Sequence, residues 1–173
     1  AGTTAIVGHF ATETGCGDVF LYGPGTTPDT LWDLDCAGHI TAAPQTVNGT
    51  FTPVVQDFTP TDTLWDDILW YRPTGASVLW DSDGDRTWTS SGHTVGLAGT
   101  PIPAVYEWGY LHIWSPTAPD ALWWVLDETT DHKGPVDNTE IPAGYTVVNG
   151  LGDDGWTYLL WYKPGTAPEY LFH

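Results

Sequence analysis

The stretch 65-WDDILWYRPTG-75 decides how this chain is read. Its centre, Ile68 to Tyr71, is apolar at every position and runs into Pro73, which presets a turn. A strand with one wet face alternates, whereas one that is apolar throughout is covered on both faces. The phrase recurs as DVFLYGPG (18–25), YLHIWSP (110–116) and YLLWYKPG (158–165). The closing aromatics Tyr22, Tyr71, Trp114 and Tyr162 are spaced 49, 43 and 48 residues apart. After each turn comes a Leu-aromatic pair: Leu31-Trp32, Leu79-Trp80, Leu122-Trp123 and Leu171-Phe172. Ahead of the phrase lie AIVGHF, PVVQDF and PAVYEW, strands ending in an aromatic, with YTVVNGL as a weaker counterpart in the last unit.

A unit of about 47 residues with three or four short strands matches a propeller blade. No amphipathic helical pattern is present to cover strands that are apolar on both faces, so other sheets must cover them. The expected fold is therefore all-β and β-propeller-like, one domain of four blade repeats at approximately 1–46, 47–96, 97–140 and 141–173. Two alternatives stay open: a β-sandwich, and half of a larger propeller completed by a second copy. The chain opens on the AIVGHF strand and closes on Leu171-Phe172, so its two ends could also complete one blade together.

Residues 47–80, VNGTFTPVVQDFTPTDTLWDDILWYRPTGASVLW, resemble the FG-GAP/VCBS-type repeats of secreted bacterial propellers. Val54-Val55, Asp57-Phe58, Asp67 to Tyr71, Pro73 and Leu79-Trp80 fall on that pattern. The resemblance implies a secreted propeller serving as a lectin, an adhesion module or an enzyme appendage. It also implies a calcium loop of the form Asp-x-Asp-Gly-Asp-Gly between the first two strands of each unit. No unit keeps that loop: the segments read FATETGCGD, FTPTDTLWDD, WGYL and LGDDGWTY. Alternating carboxylates occur instead at Asp81, Asp83 and Asp85, where Gly84 bends the chain. Such spacing can wrap an oxygen-seeking cation, but the distal glutamate of a calcium loop is missing and Asp-Gly runs are common turns, so the solvated turn is the favoured reading.

Four Lys+Arg against 22 Asp+Glu give a net charge of −18. Nucleic acid and anionic membranes are excluded as partners, because both are bound through Lys and Arg. The same field keeps the chain soluble and suits a salt-rich environment. Cys16 and Cys36 are the only cysteines, and a disulfide between them fits an extracellular protein. Ala1 in place of methionine suggests a processed or a trimmed chain. No apolar run approaches transmembrane length, and Asn48-Gly49-Thr50 is a glycosylation sequon.

No nucleophile elbow, phosphate loop or zinc motif occurs. The six histidines are scattered, and His9 and His112 lie in expected strands at non-equivalent repeat positions, so they read as core or surface residues and not as metal ligands. Asp66-Asp67 and Asp153-Asp154 are adjacent acids, which point apart on a strand and do not flank a sugar as glycosidase carboxylates must. The lead is the surplus of tryptophan, 11 in 173 residues. Trp70, Trp114 and Trp161 read as packing between blades. Trp32, Trp80 and Trp123 read as core or as repeated pocket walls. Trp65 and Trp156 stand where the calcium loops should end, and an aromatic beside a carboxylate can stack on a sugar face while the acid binds hydroxyls. The expected ligand-binding residues are thus Trp65, Asp66, Trp108, Asp154 and Trp156. The expected function is a non-catalytic extracellular module that binds carbohydrate and requires no cofactor. The alternatives are a self-associating structural subunit of a secreted assembly and an accessory domain of a hydrolase.

Overall fold

A computed structural model describes residues 2–11, 16–58, 65–93, 99–103, 110–115, 121–126, 130–135, 145–151, 157–166 and 168–172. Among these residues the chain is all-β, in four antiparallel sheets each built from consecutive strands. The first sheet holds β1 (Thr4–Gly8), β2 (Asp18–Tyr22), β3 (Asp29–Leu34) and β4 (Ile40–Gln45). The second holds β5 (Thr52–Gln56), β6 (Asp67–Tyr71), β7 (Ser77–Ser82) and β8 (Trp88–His93). The third holds β9 (Thr100–Pro103), β10 (Tyr110–Trp114), β11 (Ala121–Leu126) and β12 (Thr130–Pro135). The fourth holds β13 (Thr146–Leu151), β14 (Thr157–Tyr162) and β15 (Tyr170–Phe172). Of the expected PAVYEW strand only Pro103 lies in a described strand; 104–108 lie outside the described residues.

The period of two along a strand gives each sheet two faces, and both are apolar. In the second sheet Val55, Ile68 and Trp80 form one cross-strand row, with Trp70 and Val78 in the next. This face packs on Phe20, Tyr22 and Leu31 of the first sheet. On the opposite face the row Val54, Leu69, Leu79 joins Tyr71 against Leu111 and Ile113 of the third sheet. The third sheet in turn brings His112 and Trp114 to Trp161 of the fourth. Sheet follows sheet in chain order, each with a face for the preceding sheet and a face for the following one. All five residues of β6 are buried, as its unbroken apolar run requires.

Trp70 anchors the first of these junctions. Its ring lies 5.4 Å from Phe20, 5.0 Å from Tyr22 and 5.4 Å from Trp80, in tilted and edge-on arrangements that aromatic quadrupoles favour. The three tryptophans grouped by sequence divide between the two faces. Trp70 and Trp161 face the preceding sheet, whereas Trp114 occupies the closing position of Tyr71 and packs on the following one. A shift of one residue along a strand moves a side chain to the other face.

Buried polar groups pin the strand ends. Asp18 accepts from the backbone N–H of Phe10 at 2.8 Å, Ala11 at 2.9 Å and Leu34 at 3.2 Å. Asp67 takes the same position in the second sheet and accepts from Phe58 at 2.8 Å and Ser82 at 3.0 Å. At the other end Asp29 accepts from Gly23 and Val47, and Ser77 accepts from Arg72 in its place. The closing tyrosines join sheet to sheet. The Tyr22 hydroxyl donates to the Gly49 carbonyl at 2.9 Å, and the Tyr71 hydroxyl is hydrogen-bonded to the backbone of Gly99. A cation–aromatic contact also recurs, Arg72 over Phe51 and Lys163 over Tyr145.

Cys16 and Cys36 form a disulfide with their α-carbons 5.5 Å apart. It ties the segment leading into β2 to the turn after β3, and closing a loop of 20 residues stabilises the fold by about 3 kcal/mol. The bond is compatible with an extracellular location. No helix among the described residues is long and apolar enough to cross a membrane.

Candidate functional site

The connections β1–β2, β3–β4, β5–β6 and β7–β8 leave their sheets at the same end of the stack, where hydrogen bonds join them. Asp66, one residue before β6, donates its N–H to the His9 carbonyl at 2.8 Å. In return its Oδ2 accepts the His9 N–H, also at 2.8 Å. The Ser82 hydroxyl donates to the Phe10 carbonyl at 2.7 Å. Arg86 in the β7–β8 turn donates Nε to Asp33 Oδ2 at 2.8 Å, and its Nη2 meets the same oxygen. The Asp33 carboxylate is buried, so this ion pair fixes the turn of the second sheet onto the first.

Trp65 sits within this clamp. Its ring is half-buried, 4.7 Å from the His9 ring on one side. On another it rests on Gly84, where an added β-carbon would come within 2.5 Å of the indole. Gly84 also has φ of 76°, so both the turn and the seat for Trp65 require glycine. Sequence reading placed Trp65 and the acidic turn in separate candidate sites; the structure brings them together. Asp83 and Asp85 are exposed on either side of Gly84, and Asp83 Oδ2 accepts from the Thr87 hydroxyl at 3.3 Å. The result is a half-buried aromatic that directly precedes Asp66 and rests on the glycine between Asp83 and Asp85.

Asp81 lies half-buried within β7. Among the described residues no three His, Cys, Asp or Glu side chains are grouped so as to hold a metal ion. Trp108, Asp154 and Trp156 lie outside the described residues. Asp67, the neighbour of Asp66, is no mirror of it, since both its oxygens are committed to backbone donors. Burial pushes its carboxyl up to about 8; the Ser82 and Phe58 N–H groups pull the other way, and the charges of Asp81 and Asp57 add to the rise. The repeated Asp ahead of Val19 and Ile68 was the sequence signal for this anchoring role. Nothing local in the sequence marked the Arg86–Asp33 pair, which joins residues 53 apart.

His39 Nδ1 meets Asp35 at 2.7 Å on the β3–β4 turn, and that hydrogen bond holds the exposed Asp35 carboxyl below its usual range. His112 is buried against Trp161, and His93 is buried at the end of β8. Comparison with family models, with curated proteins and with solved structures finds no match.

Proposed function

We propose that the chain is an extracellular recognition module for carbohydrate, with Trp65 as the stacking surface and Asp66, Asp83 and Asp85 as hydroxyl acceptors. The observation that carries this reading is the seating of Trp65. Gly84 and His9 seat its ring, the Arg86–Asp33 pair fixes the turn that carries Gly84, and the ring is only half-buried. A rigid aromatic with a few polar groups at its rim suits the apolar face and equatorial hydroxyls of a sugar ring. The net charge of −18 favours neutral or cationic saccharides over sulfated ones. The resemblance to FG-GAP/VCBS-type repeats supports the same reading and suggests propeller blades for the four sheets. Repetition of such a site in other units would make the module multivalent, which raises avidity without tightening any single site.

Titration with a panel of neutral oligosaccharides, followed by tryptophan fluorescence, tests the proposal. A saturable shift is expected for at least one sugar, reduced more than tenfold in apparent affinity by Trp65→Ala. A panel without any saturable response, or an unchanged response in Trp65→Ala, would argue against this site.

A further inference from the structure

We propose that this chain associates head to tail with a second copy of itself, the fourth sheet of one copy packing on the first sheet of the next. The inference rests on the repetition of the two sheet faces and is independent of the carbohydrate reading.

The face that the second sheet turns to the third is the row Val54, Leu69, Leu79 with Tyr71, all buried. The first sheet presents Ile6, Phe20, Leu31 and Tyr22 to the second in the same register, again buried. In the fourth sheet the same row is Val148, Leu160, Leu171 with Tyr162. Here Val148 is 53% exposed, Leu171 64% and Tyr162 42%. Four apolar side chains therefore sit in the pattern that buries a following sheet, with that face open.

The first sheet shows the complementary half. Against it the second sheet packs the row Val55, Ile68, Trp80 and the adjoining Trp70. The corresponding row of the first sheet is Val7, Val19, Trp32, with Leu21 in the place of Trp70. Val7 is 68% exposed, and Trp32 lies at the surface although its counterpart Trp80 is packed between sheets. One molecule thus carries a free following face and a free preceding face, the two halves of a junction it already builds between its own sheets. Contiguous apolar surface of this kind marks an interaction site. Both faces are open, and a second copy supplies the matching half of each.

The tyrosine joints point the same way. Tyr22 and Tyr71 reach Gly49 and Gly99, which stand ahead of β5 and β9. Tyr162 holds the same position in the last sheet. Gly2 stands ahead of β1 as Gly49 and Gly99 stand ahead of β5 and β9, and in a head-to-tail pair it takes their place opposite Tyr162 of the neighbouring copy. Packing of two like faces offers the hydroxyl no such partner. A head-to-tail contact is heterologous, and it grows into a ring when the rotation closes. The negative charge of each copy opposes association, so added salt should strengthen it.

Light scattering on the wild type, Val7→Asp, Leu171→Asp and an equimolar mixture of the two variants, in salt, tests this. The wild type should reach at least twice the 18.8 kDa of one chain. Each variant alone should stay at one chain, because one half of the junction carries a charge. The mixture should recover twice that mass and nothing larger, since only one intact pair of faces remains. Both residues are exposed, so circular dichroism should show both variants folded; Val148→Asp replaces Leu171→Asp should the latter fail. A wild type fixed at 18.8 kDa across concentrations overturns the proposal. So does a mixture that stays monomeric, or association of either variant alone through like faces.

Discussion

Asp18→Ala is expected to lower the unfolding free energy by roughly 3–6 kcal/mol, the largest effect of any single substitution considered for this chain. The carboxylate is fully buried and accepts from three backbone N–H groups, those of Phe10, Ala11 and Leu34. Alanine leaves three donors without this acceptor, the Phe10 and Ala11 N–H groups in buried positions and that of Leu34 in a part-buried one. Each buried donor costs about 1–3 kcal/mol before relaxation. Against a typical total of about 5–15 kcal/mol, that is enough to leave much of the chain unfolded at ambient temperature. Asp18→Asn keeps one acceptor oxygen and should fall between the wild type and alanine. Urea unfolding followed by tryptophan fluorescence measures the series. An alanine midpoint equal to the wild type would show that the loop after β1 is held by something other than this side chain.

Acid should weaken the junction between the third and fourth sheets, and His112→Leu should abolish that weakening. Burial against Trp161 lowers the His112 imidazole to about 4 from its ordinary 6.5. The folded state therefore disfavours the protonated ring. Between these values the unfolded chain takes up a proton that the folded chain refuses. The stability that His112 contributes is complete above pH 6.5 and is lost as pH falls towards 4, about 3 kcal/mol in all. Asp67 has the opposite sign. Its carboxyl is raised to about 8, so its contribution is complete below the ordinary carboxylate range and is lost as pH rises towards 8. The two slopes oppose each other in mild acid, and only the difference between wild type and variant isolates His112. Leucine is the natural replacement because Leu69 holds this position in the second sheet. The difference in stability should be flat above pH 7 and should widen steadily below 6.5. A difference independent of pH would place His112 in contact with solvent.

The fold was legible because its signal is repeated. The unbroken run Ile68 to Tyr71 announced two covered faces, and both are buried. Pro73, Pro164 and the glycines after them announced turns, and Gly75 and Gly165 do take positive φ. Trp114, like Trp70 and Trp161, packs between sheets as its strand position suggested, but on the following sheet and not the preceding one, because one residue along a strand exchanges the faces. The candidate site was legible only in its parts. Trp65 stood out as an aromatic in a loop that had lost its acidic pattern, and Asp83 and Asp85 as alternating acids. Their meeting depends on the turn at Gly84 and on Arg86 reaching Asp33 in another sheet, contacts that no local periodicity encodes. The free end faces were equally hidden. Val7 and Leu171 have the same residue types as their packed counterparts Val55 and Leu79, and only the stacking order shows which faces have a neighbour.

Both proposals depend on the sheets stacking in chain order through one repeated junction. Nuclear Overhauser contacts between aromatic rings test that most directly. Cross-peaks are expected between Phe20 and Trp70, whose ring centres lie 5.4 Å apart, and between His112 and Trp161, at 5.3 Å. Rings of the first sheet in contact with Trp161, and none with Trp70, would contradict that stacking order.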